Sequence, residues 1–180
     1  MSLPVAGGLP AVTLILGGAR SGKSRYAENL IAATAASGIY IATAEARDSE
    51  MATRIAEHRS RRGAFWRTVE APIDLAQAIL VHADLNRPIL IDCLTLWLSN
   101  LLCAGRVIDH EGETLCAALR DAPGPVVLVA NEVGMGLVPE TTLGREFRDA
   151  AGRLNQAIAA LADRVVFVAA GLPLVLKGSA

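Results

Sequence analysis

The stretch Gly17-Gly18-Ala19-Arg20-Ser21-Gly22-Lys23-Ser24 matches the pattern G-x-x-x-x-G-K-[ST] at every defined position. Glycine at positions 17 and 22 lets the backbone curl, so that successive N–H groups point inward at phosphate oxygens. In this pattern the lysine reaches the β- and γ-phosphates, and the last hydroxyl can bind Mg²⁺. We therefore predict that the chain binds a nucleoside triphosphate through the loop residues Gly17, Gly18, Ala19, Arg20, Ser21, Gly22, Lys23 and Ser24.

The residues on either side of this loop match the strand and the helix that a phosphate-binding loop joins. Residues 12–16, VTLIL, predict a buried strand, and residues 25–31 predict a helix whose positive end faces the phosphates. Further aliphatic runs alternate with helical segments such as residues 75–80 and 153–161; these runs are residues 39–42, 89–92, 126–130 and 165–169. Nearly continuous runs of this kind are typical of a parallel sheet that is covered on both faces.

This alternation decides the fold class. We predict an α/β fold, with a mostly parallel sheet of the phosphate-loop NTPase type and helices on both faces, in a single domain over residues 1–180. Sites in such folds lie at the carboxyl ends of the strands. Polar residues follow the predicted strands at Asp92, at Asn131-Glu132 and in the turn at residues 42–45. We therefore expect one site at that edge of the sheet.

A strand that ends in a carboxylate is the arrangement that supplies the second protein ligand of Mg²⁺ in phosphate-loop enzymes. Residues 88–92, PILID, fit this description and make Asp92 the predicted partner of Ser24 at the metal. Glu132 also follows a buried strand and competes for the same role. We favour Asp92 and leave the alternative open.

Composition excludes several classes of protein. With 19% charged residues and a net charge of −1, the 180-residue chain is typical neither of a disordered protein nor of a strongly basic nucleic-acid-binding protein. Its longest apolar run, residues 165–176, is too short for the ~20 residues of a membrane span. Residues 1–16 lack Lys and Arg, so we expect no signal peptide. Cys93, Cys103 and Cys116 have no zinc-like spacing, and we expect reduced thiols in a cytoplasmic protein.

The base-reading motif N-K-x-D of regulatory GTPases and the protein-kinase signatures are absent from the sequence. A small-molecule kinase, a nucleotidyl transferase and a motor-like ATPase core remain. Residues 50–62 discriminate among them, because Glu50, Arg54 and His58 recur at helical spacing and three arginines lie among the next four residues. Positive charge disfavours the imidazolium form, and a neutral imidazole can attack phosphorus to form a phosphoramidate. The alternative is a solvated basic helix face with an incidental histidine.

With its phosphate loop, the strand that ends in Asp92 and the His58 segment, this chain strongly resembles the bifunctional adenosylcobinamide kinase/adenosylcobinamide-phosphate guanylyltransferase family of cobalamin biosynthesis. The resemblance runs almost from end to end. It rests on residues 17–28, 40–44, 51–70, 92–100, 131–139 and 152–156. The phosphate loop is shared by many families, whereas residues 131–139, NEVGMGLVP, and the His58 segment are far more selective.

The resemblance implies two reactions. The family phosphorylates the aminopropanol hydroxyl of adenosylcobinamide with ATP or GTP, and then transfers GMP from GTP through a histidine to give adenosylcobinamide-GDP. It also implies a corrinoid substrate, a core similar to recombinase-type domains, and a homotrimer. Some relatives carry two adjacent histidines where this chain has Glu57-His58, and Glu57 cannot form a phosphoramidate.

The family's functional residues fall on matching positions of this sequence. The guanylylated histidine falls on His58, which with Lys23 forms the expected catalytic pair. The expected nucleotide contacts outside the phosphate loop are Ala42, Thr43, Ala44, Arg59, Ser60, Arg61, Arg62, Glu70 and Asp92. Two other interpretations remain: a monofunctional small-molecule kinase in which His58 only helps to bind phosphate, and a nucleotide-gated assembly or switch module.

Overall fold

Strands and helices alternate along this computed structural model, which describes residues 8–46 and 49–179 except for the side chains of Glu50, Arg54, Glu57, His58 and Arg61. The strands in the described part are β1 (Val12–Gly17), β2 (Gly38–Ala42), β3 (Trp66–Glu70), β4 (Ile89–Asp92), β5 (Val126–Asn131), β6 (Arg164–Ala169) and β7 (Leu172–Lys177). The helices are α1 (Lys23–Ala32), α2 (Ser49–Arg61), α3 (Leu75–His82), α4 (Leu94–Cys103), α5 (Ile108–Asp121) and α6 (Thr142–Leu161).

The strands form one sheet in the order β3-β2-β4-β5-β1-β6-β7. Every neighbouring pair is parallel except β6 and β7, which run antiparallel. In register, Gly17 pairs with Asn131 and Ala42 pairs with Asp92. The carboxyl ends of the four neighbouring strands β2, β4, β5 and β1 therefore meet along one edge, where the sequence places its polar residues.

Side chains alternate across the sheet because successive residues of a strand point to opposite faces. In β1, Leu14 and Leu16 belong to the larger apolar core, which also takes buried residues from α3, α4, α5 and α6. Ile15 points to the other face, where it joins a smaller core with Ala27 and Ile31 of α1. The central strands are covered on both faces, which explains why their sequences are almost continuously apolar.

The predicted fold class is confirmed: the sheet is mostly parallel, with α1 on one face and other helices on the opposite face. All five predicted strands are present, and the predicted helices lie within α1, α3 and α6. The helical spacing predicted around residues 50–58 is also confirmed, as α2. No helix in the described ranges has the length and apolar character needed to cross a membrane.

Two strands were not predicted, and both lie at an edge of the sheet. In β3 the side chains are half-buried or exposed, so the apolar run typical of an inner strand is missing. The sequence of β7 contains Pro173 and follows Gly171, two residues that usually interrupt a strand. An edge strand tolerates proline, and Ala170 and Gly171 both have positive φ (50° and 79°), the conformation of a tight hairpin turn.

Candidate nucleotide-binding site

The phosphate loop follows β1 and ends in the first turn of α1, as the pattern predicts. A Cβ atom on Gly17 would lie 2.7 Å from Ser21 Oγ, so a larger residue would displace the loop. Gly22 caps the helix with φ of 95°, a conformation that favours glycine. The turn between β6 and β7 supports the loop, because the Gly171 N–H donates to the Ser21 carbonyl at 2.8 Å. The loop conformation therefore depends on its own glycines and on the neighbouring turn between β6 and β7.

The ammonium group of Lys23 lies inside this loop. Lys23 is only 8% exposed, and its Nζ donates to the Gly18 carbonyl at 2.9 Å. Burial lowers the pKa of Lys23, and the nearby Cys93 and Asp92 side chains partly oppose this shift. A buried cation whose positive charge is poorly solvated favours an anionic ligand, such as a phosphate group.

Asp92 ends β4 next to the loop, and it lines the same pocket as Ser24. The Tyr40 hydroxyl donates to Asp92 Oδ2 at 2.8 Å. The competing acid, Glu132, lies in the segment that follows β5, and its Oε1 accepts a hydrogen bond from the Gly134 N–H at 2.7 Å. Glu132 does not line the pocket that Ser24 and Asp92 share. Of these two acids, only Asp92 therefore lines the pocket together with Ser24.

The turn after β2 holds the Asp92–Cys93 backbone in place. Thr43 is fully buried, and its hydroxyl both accepts from the Cys93 N–H at 2.8 Å and donates to the Cys93 carbonyl at 2.7 Å. Asn100 Nδ2 donates to the Thr43 carbonyl at 2.7 Å. Ala42 and Ala44 line the pocket, whereas Thr43 does not. Of these three predicted contact residues, Thr43 thus lies behind the pocket wall and supports it.

These elements enclose a pocket of about 570 Å³ at the carboxyl edge of the sheet. Within the described ranges, three buried polar atoms of its lining have no hydrogen-bond partner: Ser21 Oγ, Arg62 Nε and Asn131 Oδ1. Buried polar atoms are normally paired, so unpaired atoms in a pocket indicate a polar ligand. The lining residues are Ala19, Arg20, Ser21, Gly22, Lys23, Ser24, Arg25, Glu28, Tyr40, Ala42, Ala44, Met51, Ile55, Arg59, Arg62, Glu70, Asp92, Cys93, Leu96 and Asn131.

One wall of the pocket comes from α2. Met51, Ile55 and Arg59 recur at i, i+4 and i+8 and line the pocket together. Arg59 forms an ion pair with Glu70, which also lines the pocket. The expected contacts at Arg59, Arg62 and Glu70 are thus brought together with the phosphate loop. Of the other predicted residues in this region, Ser60 does not line the pocket, and the side chains of His58 and Arg61 lie outside the described part.

A family model described as cobinamide kinase / cobinamide phosphate guanyltransferase matches residues 13–176 of this chain. The chain belongs to this family. The match extends from β1 to β7 and includes the phosphate loop, α2 and Asp92. Membership of the cobinamide kinase / cobinamide phosphate guanyltransferase family confirms the resemblance inferred from the sequence blocks.

Individual relatives agree with this family assignment over nearly their full length. The bifunctional adenosylcobalamin biosynthesis protein CobP of Pseudomonas aeruginosa is 53% identical over 167 residues, covering 92% of this chain and 96% of that protein. The bifunctional adenosylcobalamin biosynthesis protein CobU of Salmonella typhimurium is 45% identical, covering 91% of this chain and 98% of that protein. The Escherichia coli protein of the same name is 44% identical, with the same coverage.

Solved structures of low sequence identity share the fold of this chain. The flagellar accessory protein FlaH of Methanocaldococcus jannaschii has a TM-score of 0.53 at 13% identity, covering 98% of this chain and 83% of that chain. A prototypical ATPase from the type III secretion system of pathogenic bacteria has a TM-score of 0.54 at 12% identity, covering 88% of this chain and 51% of that chain. At these identities the similarity shows the fold alone.

The sequence did not predict a role for several residues that line this pocket. Tyr40 stood inside a block that carried the resemblance, and Asn131 stood at a recognised strand end, so both had a signal. Met51 and Ile55 stood inside the block of residues 51–70, but their helical spacing to Arg59 does not tell which helix face meets the pocket. Leu96 stood inside the block of residues 92–100, but several other apolar residues of the same helix are core, and the sequence did not distinguish Leu96 from them.

Proposed function

We propose that this chain phosphorylates adenosylcobinamide with ATP or GTP and then transfers GMP from GTP to the product through a covalent intermediate on His58. Membership of the cobinamide kinase / cobinamide phosphate guanyltransferase family supports both activities. The names of the relatives from Pseudomonas and Salmonella, each called bifunctional, support them as well. The assignment of the intermediate to His58 is the part that requires an experiment.

One observation carries the proposal: a single pocket is lined both by the phosphate loop and by α2. His58 directly precedes Arg59, which lines this pocket, and follows Ile55, another lining residue, by three positions on the helix. Helical spacing therefore predicts that His58 lies near the same wall. One nucleotide site within one domain would then serve both reactions.

Mg²⁺ fits the oxygen ligands that converge on the loop. Ser24 and Asp92 would hold it, and the remaining positions suit water and phosphate oxygens, because Mg²⁺ seldom has an all-protein ligand set. The bound ion would offset negative charge on the β- and γ-phosphates. Among the described residues, no group of three or more His, Cys, Asp or Glu side chains forms a metal cluster, so a dedicated protein cage is not the arrangement proposed.

In the kinase reaction, the corrinoid hydroxyl attacks the γ-phosphorus in line, loses its proton and displaces the nucleoside diphosphate, while Lys23 and the loop amides hold the triphosphate. In the transferase reaction, His58 attacks the α-phosphorus and pyrophosphate leaves. Attack at a different phosphorus requires the triphosphate to bind in another register, or α2 to move towards the loop. Arg59 and Arg62 line the pocket, and Arg59 directly follows His58 in the sequence, so both would neutralise charge that develops on the α-phosphate oxygens.

Covalent labelling tests this division of roles. The protein is incubated with Mg²⁺ and GTP labelled at either the α- or the γ-phosphorus, and is then denatured. We expect acid-labile, alkali-stable label from the α position only. His58→Ala should abolish this label and leave substantial kinase activity, whereas His110→Ala, which changes an exposed histidine on α5, should leave both activities intact. Lys23→Ala should impair both activities.

Other outcomes of the labelling would contradict the proposal. Label from the γ position only would indicate autophosphorylation. No label from either position would favour a monofunctional kinase or a nucleotide-gated switch. Equal loss of both activities in His58→Ala would show that His58 is not specific to the transfer of GMP.

We also propose that the chain assembles as a homotrimer in the cytoplasm, as the family resemblance implies. Exposed leucines on the edge strand β7 support assembly, because exposed apolar edges are usually covered in soluble assemblies. Cys93, Cys103 and Cys116 are free thiols, which supports a reducing compartment.

A further inference from the structure

The side chain of Tyr40 connects two groups of the proposed site that belong to different elements. Tyr40 lies on β2 and is 1% exposed, yet it reaches the wall of the nucleotide pocket. Its hydroxyl group contacts the metal ligand proposed on β4, Asp92, and its ring contacts Arg62, which directly follows α2. Tyr40 therefore links the end of β4 to the residue that follows α2.

The hydroxyl group of Tyr40 orients the Asp92 carboxylate. It donates to Oδ2 at 2.8 Å, a distance typical of an O–H···O hydrogen bond. Partners of this kind fix the direction of a metal-binding carboxylate and raise the affinity of the site for its metal.

The ring of Tyr40 fixes the guanidinium group of Arg62. Arg62 Cζ lies 3.4 Å from the ring centroid, in the geometry of a cation–π contact. The ring of Trp66 packs edge-on against Tyr40, with centroids 5.7 Å apart and an interplanar angle of 88°. Because Trp66 and the hydroxyl contact both restrict the ring, Arg62 is placed on a surface that cannot easily rotate.

The guanidinium group that this ring holds is available to an anion. Within the described part of the chain, Arg62 Nε is buried and has no hydrogen-bond partner. Arg62 lines the same pocket as Lys23, and it lies just beyond the helix that carries His58. A buried N–H group without a partner is costly, and a phosphate oxygen would satisfy it.

We infer that Tyr40 is a positioning residue that acts through two separate parts of its side chain. Its hydroxyl group orients Asp92 for the metal, and its ring holds Arg62 against the nucleotide phosphates. This inference rests on the proposed function, because it assumes that the pocket binds a magnesium–nucleotide complex. It predicts that the two parts of the side chain affect GTP binding in different ways.

The hydroxyl contribution is tested by calorimetric titration of GTP, with saturating Mg²⁺ and with EDTA. In Tyr40→Phe, which retains the ring, we expect the strengthening of GTP binding by Mg²⁺ to fall by about 10-fold or more, as for other supporting partners of metal ligands. GTP affinity in EDTA should remain that of the unaltered protein. Tyr26→Phe is the matched control, because Tyr26 is a partly buried tyrosine on α1 that packs against the same core as Tyr40, and it should leave both affinities unchanged.

The ring contribution is tested in EDTA, where the metal plays no part. We expect Tyr40→Leu to weaken GTP binding by about 2- to 30-fold relative to Tyr40→Phe, the range of a lost cation–π contact. In an Arg62→Gln background, the same change should have no further effect, because the ring acts through Arg62. Thermal unfolding of each variant establishes that the fold is retained, and Tyr40→Phe tests the hydroxyl group even if Tyr40→Leu does not fold.

These titrations distinguish a failure of the positioning role of Tyr40 from a failure of the proposed function. If the unaltered protein binds GTP more tightly with Mg²⁺ and Tyr40→Phe shows the same strengthening, the positioning role of Tyr40 is wrong while the proposed function stands. If the unaltered protein binds no GTP under either condition, the proposed function is wrong, and the inference about Tyr40 is wrong with it.

Discussion

Single side chains decide the chemistry of this pocket through their burial. Cys93 follows the proposed metal ligand and is 7% exposed, with its backbone held by the Thr43 hydroxyl group. Burial raises the pKa of its thiol to about 11 from the ordinary value of 9.0, and the negative charge of Asp92 adds to the shift. A thiol in this environment remains protonated and unreactive, so Cys93 acts as a packing residue beside the site.

We predict that Cys93 resists alkylation in the folded protein, whereas the exposed Cys103 reacts. Because the folded pKa is raised, the stabilising effect of the neutral thiol is complete below pH 9.0 and is lost as the pH rises through about 11. Mass spectrometry after treatment with iodoacetamide below pH 9.0, with and without denaturant, measures this difference. Equal modification of both thiols in the folded protein would contradict the prediction.

At the scale of elements, the segment between β5 and α6 connects the pocket to the longest helix in the described part of the chain. Its first residues are tied to the phosphate loop, because the Glu132 N–H donates to the Gly17 carbonyl at 3.1 Å. Its last residue, Thr141, caps α6 by accepting the Gly144 N–H at 3.1 Å. Further along α6, Asn155 Nδ2 donates to the carbonyl of Asn131, the last residue of β5, at 3.4 Å. The start of α6 and its middle therefore both determine where this segment lies.

We predict that Thr141→Ala lowers the free energy of unfolding by about 0.5–2 kcal/mol, because the N-terminal turn of α6 loses its cap. Thr114→Ala is the control: Thr114 lies inside α5, where its hydroxyl donates to the His110 carbonyl, and alanine is the better helix former there. Urea titration followed by circular dichroism measures both variants. A loss of stability in Thr114→Ala as large as that in Thr141→Ala would show that the cap is not the cause.

At the scale of the whole molecule, the edge of the sheet formed by β7 exposes apolar side chains in the isolated chain. Along β7, Leu172, Leu174 and Leu176 are between 56% and 72% exposed. Edge strands with apolar side chains are prone to association, and natural proteins usually cover them or charge them. Charge is limited here to Lys177, whose ammonium group instead donates to the carbonyls of Ala159 and Ala160 at the end of α6.

We predict that the protein sediments with three times the 18.8 kDa mass of the chain. Leu174→Lys should shift this equilibrium towards monomers, because a charge would have to be buried where β7 is covered. Leu85→Lys is the control, since Leu85 is 75% exposed in a connection far along the chain from β7. A monomer at all concentrations would contradict the proposed trimer, and a stable Leu174→Lys trimer would place the contact on another surface.

The sequence predicted the inner strands and the phosphate loop because both depend on local patterns. Continuous aliphatic runs identify β1, β2, β4, β5 and β6, and the glycines at positions 17 and 22 identify the loop between β1 and α1. The strand β3 was missed because its mixed polar and apolar sequence resembles that of a loop, and β7 was missed because Gly171 and Pro173 usually interrupt a strand.

The sequence by itself determined which chemistry this protein can support: a phosphate loop, a carboxylate at a strand end, and a histidine among arginines, each encoded within a few consecutive residues. Only the tertiary structure decided which side chains share the pocket. Thr43 lies behind the wall, Glu132 turns into its own loop, and Tyr40 joins Asp92 to Arg62. These contacts join residues of different strands or depend on the direction of a side chain. Strand order and side-chain direction are set by burial across the whole sheet, which no short stretch of sequence contains.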